Sequence, residues 1–141
     1  MTARHHCPVC ESDVAGFEGG PAGRCPNCTA RGRFRLLWLW YARETDILSR
    51  PVRVLHVAPE RALQRRFREI GHWDYVTTDL EKPDVTLRMD ITDILFRDRV
   101  FDVIMFNHVL EHVTDDRAAL AELFRVLRPG GWMMLTVPMD K

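Results

Sequence analysis

The sequence lacks an excess of charge of either sign: twenty Lys and Arg face twenty Asp and Glu. That balance argues against a protein that coats nucleic acid or lies on a charged membrane surface. No apolar run approaches the roughly 20 residues that a membrane span needs, and the opening MTARHH has none of the apolar stretch of a secretion signal. The expectation is a soluble, cytoplasmic protein with no membrane partner. Cysteine is absent after residue 28, and no G-x-G-x-x-G opens a helix, which weakens a dinucleotide oxidoreductase reading. What is there is a chain of 141 residues, 46% of them apolar. That is enough for one domain with a small attachment and a real core.

The four cysteines fall into Cys7-Pro8-Val9-Cys10 and Cys25-Pro26-Asn27-Cys28, two CxxC turns separated by fourteen residues. Each turn aims two thiolates at a common centre, and two turns complete a tetrahedron of soft ligands suited to Zn²⁺. A reducing compartment disfavours disulfides as the alternative. Four thiolates leave no open coordination position, so this zinc is expected to be structural, supplying folding free energy to a Gly-rich segment that cannot build a core alone. His5 and His6 read as a solvated tail. Arg24, Arg31, Arg33 and Arg35, near Phe34 and Trp38, are the ingredients of a nucleic-acid contact. The balanced charge sets that partner second to a helix start whose aromatics face the core. A helix is expected from residue 33 to 48, with Leu36, Leu37, Trp40 and Tyr41 as its buried stripe and Trp38 off it, toward the cysteine segment. The expected domains are a zinc ribbon at 1–32, a connecting helix at 33–50 and a main domain at 51–141.

The main domain opens on PVRVLHVAPE, a buried strand running into a turn. A helix follows, with Leu63, Phe67 and Ile70 on one face, Pro59 at its first position and a left-handed Gly71 ending it. Further strands are expected at 75–78, ending in Asp79; at Val85, Leu87 and Met89, ending in Asp90-Ile91; at 101–106, ending in Asn107-His108; and at 132–137. Thr114 is the expected N-cap of a helix burying Leu120, Leu123, Phe124 and Leu127, and Gly130-Gly131 a turn before the last strand. Strands alternating with helices imply an α/β fold with a doubly wound, Rossmann-like parallel sheet, whose ligands bind beyond the carboxyl ends of the strands. His108-Val109-Leu110-Glu111-His112 matches the inverted zinc-protease string H-x-x-E-H, but it follows an apolar strand so closely that a long helix has no room.

On these residues a resemblance can be stated. VRVLHVAPE, YVTTDL, LRMDITDILF, FDVIMFNHVLEHV and LFRVLRPGGWMMLTVP resemble successive motifs of class I S-adenosylmethionine-dependent methyltransferases, most nearly the branch called methyltransferase type 11 in members with an N-terminal zinc ribbon. The resemblance covers residues 52–138. It implies S-adenosylmethionine as cofactor and an unidentified methyl acceptor. Asp79 resembles the acid that accepts from both ribose hydroxyls, and Leu80 the residue that packs on adenine. Asp90 and Ile91 resemble the pair at the adenine edge. Asn107, His108 and Val109 lie where the family flanks the methionine portion. The turn of His56, Val57, Ala58, Pro59 and Glu60 takes the place of the first motif.

That motif is usually D-x-G-x-G-x-G; here His56 stands for the acid, and Ala58, Glu60 and Ala62 stand for the glycines. Without glycine the backbone is expected to take a different path, and Glu60 is expected to supply the lost carboxylate to the methionine amino group. The family's sheet continues past the fifth strand. This chain is therefore expected to be truncated, with the C-terminal strands absent, or else to self-associate through an exposed fifth strand. No catalytic residue is assigned, although His112 is a candidate base. The rival reading is a non-catalytic zinc-ribbon adaptor for RNA or protein, with a degenerate cofactor fold.

Overall fold

The computed structural model describes residues 4–139. They form two compact units, one of residues 4–50 and 60–71, the other of 51–59 and 72–139.

In the first unit, strands β1 (His5–Cys7) and β2 (Ser12–Val14) pair antiparallel, with Cys7 opposite Ser12. Helix α1 (Gly32–Glu44) is followed by a 3₁₀ turn at Ile47–Ser49, and helix α2 (Arg61–Arg68) belongs to the same unit. The ring of Phe67 lies 5.6 Å from Trp38 and 5.9 Å from Tyr41. This corrects the expected stripe. Trp38 and Tyr41 face inward, whereas Leu36 is 68% and Trp40 37% exposed. Apolar residues sit on both faces of α1, so periodicity alone could not choose between them. Helix α2 starts at Arg61, two residues later than a Pro59 start, and ends at Arg68 with Glu69 in right-handed geometry. Gly71 has no positive φ.

The ribbon segment is held by Arg35, which is buried despite its charge. Its guanidinium donates to the carbonyls of Gly23 at 2.8 Å, Ala30 at 2.7 Å and Pro21, and stacks 3.6 Å from the Phe17 ring centre. A buried charge of this kind is tolerable only when so fully hydrogen-bonded.

In the second unit β3 (Arg53–Val57), β4 (Asp74–Asp79), β5 (Leu87–Arg88), β6 (Phe101–Asn107) and β7 (Leu127–Thr136) form one parallel sheet in the order β5-β4-β3-β6-β7. Central strands β3 and β6 are mostly apolar and are buried along nearly their whole length, as parallel strands covered on both faces must be. The core gathers Leu55, Val57, Val76, Phe101, Ile104, Phe106, Ala119, Leu123 and Val126. Among the described residues no helix is long and apolar enough to cross a membrane.

Four expectations are corrected here. The third strand shrinks to Leu87–Arg88, since only Thr78 and Asp79 offer it partners. Helix α3 (Asp116–Val126) is capped by Asp115, whose Oδ1 accepts from Ala118 N–H at 2.9 Å, and not by Thr114. Its inward stripe is Ala119, Leu123 and Val126, while Phe124 is 81% exposed. The Arg128-Pro129-Gly130-Gly131 stretch lies inside β7, as an irregularity in its pairing with β6, and is not a turn before the strand. Gly130 takes φ +80°, and a Cβ on Gly131 would stand 2.7 Å from the Asp102 carbonyl oxygen. Both positions therefore require glycine.

Candidate active site and metal centre

A cavity of about 560 Å³ opens in the second unit where the strands end. Val57 and Ala58 contribute from the tip of β3, Asp79, Leu80 and Glu81 from the tip of β4, Met89 to Thr92 from the segment after β5, and His108, Val109 and His112 to Asp115 from the loop after β6. This is where a parallel sheet of this kind presents ligand-binding loops.

Eight of the twelve residues singled out from the sequence meet in this wall: Val57, Ala58, Asp79, Leu80, Asp90, Ile91, His108 and Val109. The other four stand elsewhere. His56 is fully buried, with Nδ1 2.7 Å from the Tyr75 hydroxyl, so the ring that replaces the expected acid is held within the sheet. Pro59 is buried. Glu60 belongs to the first unit, as the residue before α2, and its carbonyl accepts from Gln64 N–H at 2.8 Å. Asn107 is 5% exposed; its Oδ1 accepts from the Thr136 hydroxyl at 3.2 Å, and its Nδ2 has no partner among the described residues.

The two aspartates are anchored alike. Asp79 Oδ1 accepts from the N–H groups of Glu81 and Lys82, both at 2.9 Å. Asp90 Oδ1 accepts from Thr92 N–H at 2.9 Å and from the Thr92 hydroxyl at 2.7 Å. The Thr92 donors hold the Asp90 carboxyl below its ordinary pKa, so it stands as a carboxylate. Two acceptors beside the apolar side chains of Leu80, Met89, Ile91, Val109 and Val113 suit a ligand with a flat apolar body and a donor-bearing edge.

On the far wall, His108 adopts φ +53°, and its N–H donates to the Thr136 carbonyl at 2.8 Å. Glu111 Oε1 lies 3.8 Å from His108 Nδ1 and 3.9 Å from His112 Nε2. Leu110–His112 is a single 3₁₀ turn, so the H-x-x-E-H string has no long helix on which to act as a protease motif. Met89, Thr92, Val113 and Asp115 also line the cavity but were not singled out from the sequence as ligand-binding. Thr92 carried a readable signal, since Asp-x-Thr is an Asx-turn spacing.

In the first unit the Sγ atoms of Cys7, Cys10, Cys25 and Cys28 all lie within 4.8 Å of one another. The Cys7–Cys28 and Cys10–Cys25 separations are both 3.8 Å, and none of the four forms a disulfide. An ion bonded tetrahedrally to four sulfurs at about 2.3 Å would space them roughly 3.8 Å apart. The donor set therefore fits a metal ion. Burial pushes the Cys7 and Cys28 thiols up. For Cys10 burial acts the same way, but hydrogen bonding from Ser12 and the neighbouring thiols outweighs it and holds the group at about 7.

Residues 53–135 match the family model described as a methyltransferase domain. A ubiquinone/menaquinone biosynthesis C-methyltransferase, UbiE, of Xylella fastidiosa is 33% identical over 78 residues, covering 55% of this chain. The match covers only 26% of that relative's length. Among solved structures, the PH0226 protein of Pyrococcus horikoshii OT3 superposes with a TM-score of 0.60 at 16% identity, over 77% of this chain and 59% of that one. A SAM-dependent methyltransferase of Aquifex aeolicus gives 0.54 at 18% identity, over 62% and 57%. The [4+2]-cyclase SpnF gives 0.58 at 20% identity, over 83% and 52%. At these identities the superpositions speak to the fold alone.

Proposed function

Because the chain belongs to the methyltransferase-domain family, we propose that it transfers a methyl group from S-adenosylmethionine to an acceptor of unidentified kind. The observation that carries this reading is that Asp79 and Asp90, from the ends of neighbouring strands, line one cavity of about 560 Å³. When bound, S-adenosylmethionine supplies a methyl group on a sulfonium, which an acceptor displaces in line. Asp79 would accept from the ribose hydroxyls through Oδ2, the oxygen that its turn does not use and that stands 3.9 Å from Lys82 Nζ. Asp90 takes the adenine amine, with Leu80 and Ile91 against the ring. Val57 and Ala58 give the backbone path past the methionine portion, and His108 and Val109 border the transferring methyl. Asn107, at the end of β6, adds a buried amide nitrogen without a partner among the described residues, whereas His56, Pro59 and Glu60 lie outside this cavity wall and carry no part of the proposal. Positioning supplies most of the rate in such a displacement, so an obligatory base is not required.

The four cysteines hold a structural Zn²⁺, which the 3.8 Å sulfur separations support. The functional domains of this reading are a zinc ribbon at 1–32, a connecting helix at 33–50 and a cofactor domain at 51–141. The setting is cytoplasmic, where four free thiols stay reduced. Besides the acceptor, self-association through β7, which ends the sheet order, is part of the same proposal. Equilibrium dialysis of the zinc-loaded chain with methyl-labelled S-adenosylmethionine tests it. Retention of label that the demethylated product displaces is the supporting outcome, and no retention overturns it. The alternative is a non-catalytic adaptor, favoured by one observation: Ala58 stands at φ +46° where the resembled motif has glycine.

A further inference from the structure

The zero net charge of the chain is a cancellation between its two units. Residues 4–50 and 60–71 carry eleven arginines, no lysine and seven carboxylates, an excess of four positive charges. Residues 51–59 and 72–139 carry eight cationic side chains and twelve carboxylates, an excess of four negative ones. Within the first unit four of the seven carboxylates are already paired: Glu11 and Glu69 with Arg66, Asp46 with Arg50, and Asp13 with His6. Arg35 is tied to backbone carbonyls. Among the described residues no carboxylate pairs with Arg24, Arg31, Arg33, Arg61 or Arg65.

Most of these guanidiniums surround one loop. Cys25 N–H donates to the Ala30 carbonyl and Thr29 N–H to the Cys25 carbonyl, both at 2.9 Å, closing the second cysteine turn with Arg24 and Arg31 on either side of the closure. The carbonyls of Gly23 and Ala30 are the ones that Arg35 grips, so the same buried arginine fixes the two exposed ones. Arg33 follows in the first turn of α1, 4.9 Å from the centre of the half-buried Phe34 ring. On another side, Arg65 of α2 shares with Asn27 and Cys28 the wall of a cavity of about 220 Å³. The tip of the loop, Pro26 and Asn27, is exposed.

We infer that the second cysteine turn and its rim of Arg24, Arg31, Arg33 and Arg65 bind the phosphodiester backbone of a single-stranded nucleic acid. Unpaired guanidiniums take phosphate in a bidentate way. Several of them spread around one loop suit successive phosphates of a chain better than a single anion, and Phe34 beside Arg33 offers a flat face for a base. Pro26 and Asn27 at the tip provide no apolar wedge of the sort that enters a lipid surface. This inference is independent of the methyl-transfer reading.

The test is fluorescence anisotropy of a labelled oligouridylate with the zinc-loaded full chain over a range of salt. Binding is expected to weaken with salt at a log–log slope of about −2 to −3, as three or four phosphate contacts to a single strand give. The combined Arg31→Gln, Arg33→Gln and Arg65→Gln variant, checked for zinc content and circular dichroism, is expected to bind at least about tenfold more weakly with a flatter slope. Single Arg65→Gln, less exposed to folding effects, is expected to lose about two- to fourfold. Arg88→Gln, Arg97→Gln and Arg117→Gln together make the same charge change in the other unit and are expected to stay within about twofold. An oligothymidylate arm tells RNA from DNA, and binding of either supports the inference. It is overturned by no binding at low salt, by binding indifferent to salt, by equal losses in the two triple variants, or by capture on phosphatidylserine vesicles with no oligonucleotide bound.

Discussion

Thr92 holds Asp90 by two hydrogen bonds to a single carboxylate oxygen, one from its N–H at 2.9 Å and one from its hydroxyl at 2.7 Å. The pair fixes the rotamer of Asp90, keeps it ionised and leaves its second oxygen for a ligand in the cavity that both residues line.

Thr92→Val removes the hydroxyl donor and keeps the side-chain volume. Losing a hydrogen bond to a charged group is worth about 1.5 kcal/mol, so affinity for S-adenosylmethionine should fall roughly tenfold if pre-positioning of Asp90 matters. Titration calorimetry on the variant reads this, and unchanged affinity would show that Asp90 needs no holding.

Ala58 sits at φ +46° at the tip of β3, its N–H donating to the Thr78 carbonyl at 2.7 Å. A side chain in that region costs roughly 1–2 kcal/mol, which glycine avoids at the expense of greater freedom in the unfolded chain. Ala58→Gly is expected to raise stability by up to about 1 kcal/mol in urea unfolding. A lower midpoint would mean that the alanine methyl packs well enough to offset its backbone strain.

This position illustrates what could and could not be seen in the sequence. The missing glycine was plain, and so was the expectation of an altered path, but the chain in fact reaches the left-handed region with alanine. The buried strands were legible because 53–57 and 101–107 are mostly apolar, with Val54, Leu55 and Val57 in one and Val103 to Phe106 in the other, and the cysteine cluster because CxxC spacing fixes where thiols point. Helix faces were less so: α1 and α3 carry apolar residues all round, and Phe124 and Trp40 turned outward where Trp38 and Ala119 turned inward. The β7 start was hidden because Pro129 and two glycines read as a stop, whereas a pairing irregularity in a strand at the end of the sheet accommodates them. Of the site, the carboxylates at strand tips were legible. The replacement of Glu60 and His56 in the cavity wall by Met89, Thr92 and Val113 was not, since it depends on how the loops fold back.

Arg35 joins α1 to three carbonyls of the cysteine segment. Lysine cannot reproduce the fork or the stacking on Phe17. Arg35→Lys should leave carbonyls unsatisfied and destabilise the first unit by about 2–4 kcal/mol. The readout is zinc release to a chelator followed by a colorimetric indicator, expected to be markedly faster than in the parent. One zinc per chain by elemental analysis of the parent is the accompanying expectation. Equal release rates would place the anchoring elsewhere.

Glu122 accepts from Arg125 Nε at 2.7 Å and from Ile94 N–H at 2.7 Å, and Arg125 also donates to the Ile94 and Phe96 carbonyls and to Asp98. The Arg125 guanidinium first, then the Ile94 N–H, hold the Glu122 carboxyl below its ordinary range against the effect of burial. Because the folded pKa is the lower one, the stabilisation is complete above the unfolded value of about 4.3 and disappears as pH falls through the folded value. Melting temperatures followed from neutral to about pH 3 should therefore show Glu122→Gln well below the parent at neutral pH, with the two curves converging in acid. Parallel curves would deny the carboxylate this role.

The central claim is that Asp79 and Asp90 together hold an adenosine between neighbouring strand tips, and titration calorimetry with S-adenosylhomocysteine on the zinc-loaded chain tests it most directly. Binding by the parent, weakened at least about tenfold in Asp79→Asn and again in Asp90→Asn, is the predicted result, each substitution removing a charged acceptor worth about 1.5–3 kcal/mol. Binding of the same strength in all three proteins would contradict it.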